Sequence, residues 1–138
     1  MKTIGLIGGM SWESTRLYYE HINRGVQQRL GGLHSARILL SSLDFAPIAA
    51  MQTEARWDEA AALLTTEALR LEKAGAEVIA MTTNTMHKCA AAIVAALQAP
   101  FLHIVDPLAR HLAADGRKRP LLLATRFTME GRFFIERL

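Results

Sequence analysis

The sequence predicts an α/β fold, an open parallel sheet with helices on both faces. Two observations carry this. Short apolar runs alternate with longer amphipathic stretches along the whole chain, the pattern of successive strand–helix units. Two of the apolar runs end in small polar loops, Gly8-Gly9-Met10-Ser11 and Thr82-Thr83-Asn84-Thr85. Open α/β folds build their sites from such loops at the C-terminal ends of strands.

Residues 3–7 read as a short buried strand ending at Gly8-Gly9, with Ser11 as the N-cap of a helix over residues 12–30. Leu17, Tyr18, Ile22, Val26 and Leu30 recur on that helix at three- and four-residue spacing, and Gly31-Gly32 stops it. Residues 36–41 form a second strand, and Asp44 caps a short helix running to about residue 51. Residues 57–74 are a strong amphipathic helix with Leu63, Leu64, Leu69 and Leu71 on or near its inner face, closed by Gly75 in the C′ manner. Residues 78–81 give a third strand, residues 86–97 an Ala-rich helix, and residues 101–105 a fourth strand. Asp106-Pro107 reads as an N-cap followed by proline at the first helical position, with Gly116 ending that helix. Residues 120–124 complete the expected sheet as a fifth strand, and a last helix starts near Thr128 and still runs at Leu138. Phe133, Phe134, Ile135 and Leu138 have no following strand to bury them, so the expectation is a chain that stops inside a second lobe. The expected organisation is a first lobe over residues 1–116 and the beginning of an incomplete second lobe over residues 117–138.

At 138 residues, with 51% hydrophobic and 21% charged residues, the chain can bury one domain core. The 16 Lys and Arg barely outnumber the 13 Asp and Glu, and they are spread out. The only basic run, Arg117-Lys118-Arg119, sits in a connector, which argues against a nucleic-acid surface. The single cysteine, Cys89, excludes an internal disulfide, and a strand begins almost at Met1 with no leader before it; the expected location is the cytoplasm. No apolar run approaches the ~18 residues of a membrane span.

Several chemistries can be set aside. The Gly5–Gly9 turn does not match G-x-G-x-x-G, and no acidic residue ends the second strand to hold a ribose, Asp44 being the nearest. There is no P-loop and no G-x-S-x-G nucleophile elbow. His21, His34, His87, His103 and His111 show no zinc-site spacing, and His103 reads as a hydrogen-bonded core residue, so no metal site is expected. What remains is a pair of Ser/Thr/Asn-rich loops, each leading into a helix. Helix N-termini offer free N–H groups and a positive dipole end, which suit a carboxylate. Plain helix capping uses the same residues, and the loops alone leave both readings open.

The segments Gly5-Leu6-Ile7-Gly8-Gly9-Met10-Ser11-Trp12-Glu13-Ser14-Thr15, Tyr18-Tyr19 with Ile22-Asn23, Arg29-Leu30-Gly31-Gly32-Leu33-His34-Ser35-Ala36, Asn84-Thr85-Met86-His87-Lys88 and Thr125-Arg126-Phe127-Thr128-Met129 together resemble the aspartate/glutamate racemase family. The resemblance implies a cofactor-independent, PLP-independent isomerase of amino-acid metabolism, with two similar lobes holding a small acidic amino acid, aspartate or glutamate, between them. It implies two acid/base residues, usually cysteines, one removing the α-proton and the other returning it to the opposite face. A thiol with a reference pKa of about 8.5 can be poised for either role. Here the first of these positions is Thr83, as in a subgroup specific for the L-amino acids. The second cysteine and a substrate-binding lysine of the second lobe have no counterpart. Cys89 lies six residues beyond Thr83 and reads as a small buried side chain. On the same resemblance Asn84 and Thr85 bind the substrate's carboxylate or amino group, Met10 and Ser11 line the pocket, and Gln52, Thr125 and Thr128 are further substrate contacts. Ala124 stands where relatives often have Gly. Relatives are often dimeric, which favours a homodimer. The alternative reading is a non-catalytic lobe that binds an acidic amino acid without turnover.

Overall fold

The computed structural model describes residues 1–138. In chain order its elements are β1 (Ile4–Gly8), α1 (Trp12–Leu30), β2 (Ile38–Ser42), α2 (Phe45–Thr53), α3 (Trp57–Lys73), β3 (Val78–Met81), a 3-10 turn (Thr85–Cys89), α4 (Ala90–Ala96), β4 (Phe101–Leu102), α5 (Val105–Ala114), α6 (Arg126–Met129) and α7 (Arg132–Ile135). The strands form one four-stranded, all-parallel sheet in the order β2-β1-β3-β4. From β1 the chain steps to one side of the sheet, and from β3 to the other. The C-terminal ends of β1 and β3 therefore face a topological switch point, where the loops after them diverge and leave a crevice.

Side chains alternate across the sheet and divide the core. Ile7, Ile79 and Met81 point to α2, α3 and α4, where they pack with Ile48, Ala60, Leu64, Ala68, Leu71 and Ile93. Ala60, Leu64, Ala68 and Leu71 follow the helical repeat along α3, which explains why that helix forms one face of the core. The opposite face carries Ile4, Leu6 and Ala80, which line a cavity of about 260 Å³ together with Tyr18 and Ile22 of α1 and Pro107 of α5. Cover there is thinner than the sequence pattern suggests. Tyr18, Ile22 and Val26 are half-buried, but Leu17 and Leu30 are exposed, as is Leu69 on α3.

The local capping signals appear as expected. The Ser11 Oγ accepts from the Ser14 amide at 3.3 Å, and an Asp44 carboxylate oxygen accepts from the Ala46 amide at 3.1 Å. Gly75 follows α3 with φ +98°. No helix is long and apolar enough to cross a membrane.

The second half of the chain departs from expectation in five places. The helix expected over residues 86–97 begins as a 3-10 turn before α4. The fourth strand stops at Leu102, and α5 starts before Asp106, with Ile104 at its N-cap position. Two histidines do the capping that Asp106 was expected to do. The Ile104 amide donates to His87 Nε2 at 3.1 Å, and the Val105 amide to His103 Nδ1 at 3.3 Å. Asp106 instead faces Arg137 through two contacts, at 2.5 and 3.0 Å, and the guanidinium holds its carboxyl below the usual range.

Residues 120–124 do not join the sheet, because a strand exists only through its partner and this segment turns away toward the crevice. The single helix expected from Thr128 is two short turns, α6 and α7, with Gly131 between them. These turns fold back on the body. Phe127 meets Trp57 edge-to-face at 5.6 Å, Lys88 lies 3.9 Å over the other ring of that pair, Trp57, and Phe134 is buried. Ile135 and Leu138 stay exposed.

Candidate active site

A cleft of about 430 Å³ opens at the switch point. Met10 and Ser11 line it from the loop after β1, Thr83, Asn84 and Thr85 from the loop after β3, Gln52 from α2, and Thr125 and Thr128 from the α6 region. Every residue singled out in the sequence for a site thus converges on one crevice. Ser14, Tyr18, Phe45, Thr82, Ile104, Leu123 and Ala124 complete the lining. Ser14 and Tyr18 sit three and seven residues beyond Ser11, so their shared helix face was readable from spacing. Ile104 was not readable, since only the packing of β4 beside β3 brings it there.

The two principal loops are bonded to each other beneath the cleft. Thr15, buried on the first turns of α1, accepts from the Gly9 amide at 2.9 Å and donates to the Ser11 carbonyl at 2.9 Å. A hydroxyl has one proton to give; Thr15 gives its own to Ser11, so in the 2.8 Å contact between Thr15 and Thr82 it is Thr82 that donates, in preference to the Ile7 carbonyl at 3.5 Å. The residues of this pair are 67 apart in sequence. Replacing Thr15 by valine keeps the shape but leaves the buried Gly9 amide without a partner. We expect a loss of about 1–3 kcal/mol in urea unfolding, with Thr15→Ser retaining most of the stability; equal stability of all three chains would contradict this.

A second hydroxyl cluster ties the β3 loop to α6. Thr85 Oγ1 lies 2.9 Å from Thr125 Oγ1 and 3.3 Å from Thr128 Oγ1. The Gln52 side-chain amide donates to Met86 Sδ at 2.8 Å, which fixes its head at the cleft wall. The hydrogen bonds of the β3 loop run through Thr82, Thr85 and the Thr83 and Asn84 carbonyls. None engages the Thr83 hydroxyl or the Asn84 side-chain amide, so both are free to meet a ligand.

The lining holds no Lys, Arg, His, Asp or Glu. Its one ionisable group is Tyr18, whose pKa burial raises above its ordinary value. Cys89 is outside the cleft; its thiol faces the Trp57 carbonyl at 3.8 Å and burial pushes its pKa up to about 11. It is therefore neither placed nor poised to stand in for a thiol at position 83. No group of three or more His, Cys, Asp or Glu is arranged to hold a metal ion. The cleft can offer a ligand neutral hydrogen-bond donors and the N-terminal end of the 19-residue helix α1, whose dipole favours an anion.

The Asp/Glu/Hydantoin racemase family model matches residues 7–138. The chain belongs to this family. Among solved structures it is similar to a candidate Asp/Glu racemase from Yersinia pestis, at 52% identity and a TM-score of 0.94 over 99% of this chain. It is also similar to an aspartate racemase homologue from Pyrococcus horikoshii, at 31% identity and a TM-score of 0.82 over 99% of this chain. Picrophilus torridus aspartate racemase shares the fold, with a TM-score of 0.81 over 99% of this chain at 23% identity. The chain spans 60%, 59% and 58% of the lengths of these three proteins. The four-stranded parallel sheet with its helices is thus the fold of racemase-family proteins.

Proposed function

We propose that the cleft binds a small acidic amino acid, aspartate or glutamate, for cofactor-independent racemisation. The observation that carries this reading is the convergence of Met10, Ser11, Gln52, Thr83, Asn84, Thr85, Thr125 and Thr128 on one switch-point cleft, in a chain of a racemase family. Asn84, Thr85 and Ser11 supply donors for the α-carboxylate, with the start of α1 behind them. Hydrogen bonds that shorten as charge moves from the α-carbon onto that carboxylate would stabilise the carbanion.

Thr83 occupies the first acid/base position. An aliphatic hydroxyl is a far weaker acid than a thiol, and no ionised group lines the cleft to activate it. It suits returning a proton to the carbanion better than removing one, and removal needs a second group on the opposite face. In this reading residues 1–116 are the first lobe and residues 117–138 the beginning of the second, which is consistent with the greater length of the matched structures. A second reading, acidic amino-acid binding without turnover, is favoured by the uncharged lining.

The test is α-proton exchange of L-aspartate and L-glutamate in D₂O, followed by proton NMR, with the chain as it stands. Binding with exchange that is slow but above buffer is expected, because the group that would remove the proton has no counterpart in this chain, and Thr83→Ala should lower that exchange further. Binding of either amino acid without exchange selects the second reading. Neither binding nor exchange overturns both.

A further inference from the structure

We propose that His87 is the positioning residue for Thr83, holding the Thr83 carbonyl with one ring nitrogen and the Ile104 amide with the other. The inference rests on the reading of Thr83 as the acid/base position. His87 Nδ1 lies 2.7 Å from the Thr83 carbonyl oxygen, and the Ile104 amide nitrogen lies 3.1 Å from His87 Nε2. The ring is 1% exposed. It packs between His103, at 4.5 Å between centroids, and Phe101, at 5.8 Å.

The partners fix its chemistry. A carbonyl can only accept, so Nδ1 carries the proton. A backbone amide can only donate, so Nε2 is bare. His87 is held neutral and in a single tautomer. An imidazolium would set Nε2–H against the Ile104 N–H, two donors face to face. Burial, followed by the neighbouring His103, pushes the ring's pKa down to about 4, in keeping with that geometry.

The consequence reaches the cleft on two sides. Thr83 and Ile104 both line it, and they belong to loops after different strands. One buried ring spans those loops from behind. It fixes the peptide that carries the Thr83 side chain while touching nothing in the cleft itself. Local bonding of this loop supplies no substitute: ahead of the 3-10 turn its one internal backbone bond is from the His87 amide to the Asn84 carbonyl, at 3.0 Å, and no backbone amide donates to the Thr83 carbonyl. A side chain that must face the α-carbon of a ligand loses its advantage when displaced by an ångström or so.

Two substitutions separate the two bonds. In His87→Asn the side-chain amide sits near the Nδ1 position, so a donor to Thr83 survives and the acceptor for Ile104 is lost. In His87→Gln the side chain reaches the Nε2 position, so an acceptor for Ile104 survives and the donor to Thr83 is lost. The experiment labels the full chain with ¹⁵N and records the histidine ring spectrum and the Thr83 and Asn84 amide resonances, together with α-proton exchange of L-aspartate. We expect the wild-type His87 ring with Nδ1 protonated and Nε2 bare. We expect His87→Gln to move the Thr83 and Asn84 resonances and to slow exchange at saturating aspartate about tenfold or more, with half-saturation changed less than about threefold. His87→Asn should stay within about threefold of wild type.

An Nε2-protonated ring overturns the proposal, as does an equal effect of both substitutions, which would make His87 a packing residue only. If neither variant folds, the wild-type tautomer decides. If the wild-type chain neither binds nor exchanges, the racemase reading falls separately. The Thr83 and Asn84 resonances of the two variants then still show whether His87 sets the loop.

Discussion

Replacing Gly9 by alanine is expected to cost the chain about 3–4 kcal/mol, from left-handed backbone strain and overpacking together. Gly9 has φ +88°, a conformation that L-residues avoid. A Cβ at this position would also run into the backbone of Leu43, in the loop after β2. Backbone cannot rotate aside as the end of a side chain can. The Leu43 amide is meanwhile held by the Gly8 carbonyl at 3.0 Å, and the Gly9 amide by Thr15. The clash must therefore be relieved by moving the floor of the cleft. Gly75 provides the control, since it has φ +98° with no atom within 4 Å of a built Cβ. Gly75→Ala should lose only the conformational part, about 1–2 kcal/mol. Urea unfolding of the two variants beside wild type measures the difference. Equal losses at the two positions would show that the Leu43 contact relaxes freely.

The second large effect is acid lability through His87. In the folded chain this ring stays neutral down to about pH 4, whereas unfolded it takes up a proton near its ordinary value of 6.5. Between those values the unfolded chain binds more protons, so the contribution is complete above about pH 6.5 and is lost as the pH falls toward 4. A gap of that width corresponds to about 3 kcal/mol. The groups that face the ring act in the same direction: His103, itself shifted downward by burial, and Arg137, whose charge is shared with Asp106. Urea unfolding at pH 7 and at pH 4.5 should show a steeper fall for wild type than for His87→Gln. Parallel falls in the two chains would place the sensitivity in other groups.

These two positions were unequally visible in the sequence. Gly9 could be read as a turn glycine after a strand, because strand, turn and cap are short-range features. What makes it costly to change, the Leu43 backbone, comes from the loop of a neighbouring strand. His87 was visible only as part of a motif and as a histidine without a zinc partner. Its role depends on Ile104, 17 residues away, whose loop is brought beside it when β4 pairs with β3.

The sequence by itself determined the strand–helix alternation, the caps at Ser11 and Asp44, the stop at Gly75, and the two polar loops at the ends of β1 and β3. Each of these depends on residues within a turn or two of one another, or on a hydrophobic repeat, and needs no distant partner. The tertiary structure decided the rest. It left residues 120–124 outside the sheet, because a strand needs a neighbour to pair with. It began α5 on two histidines in place of Asp106, because a buried amide takes whichever acceptor packing presents. It joined Thr15 to Thr82 across 67 residues, so that two loops separately legible as polar became the walls of one cleft.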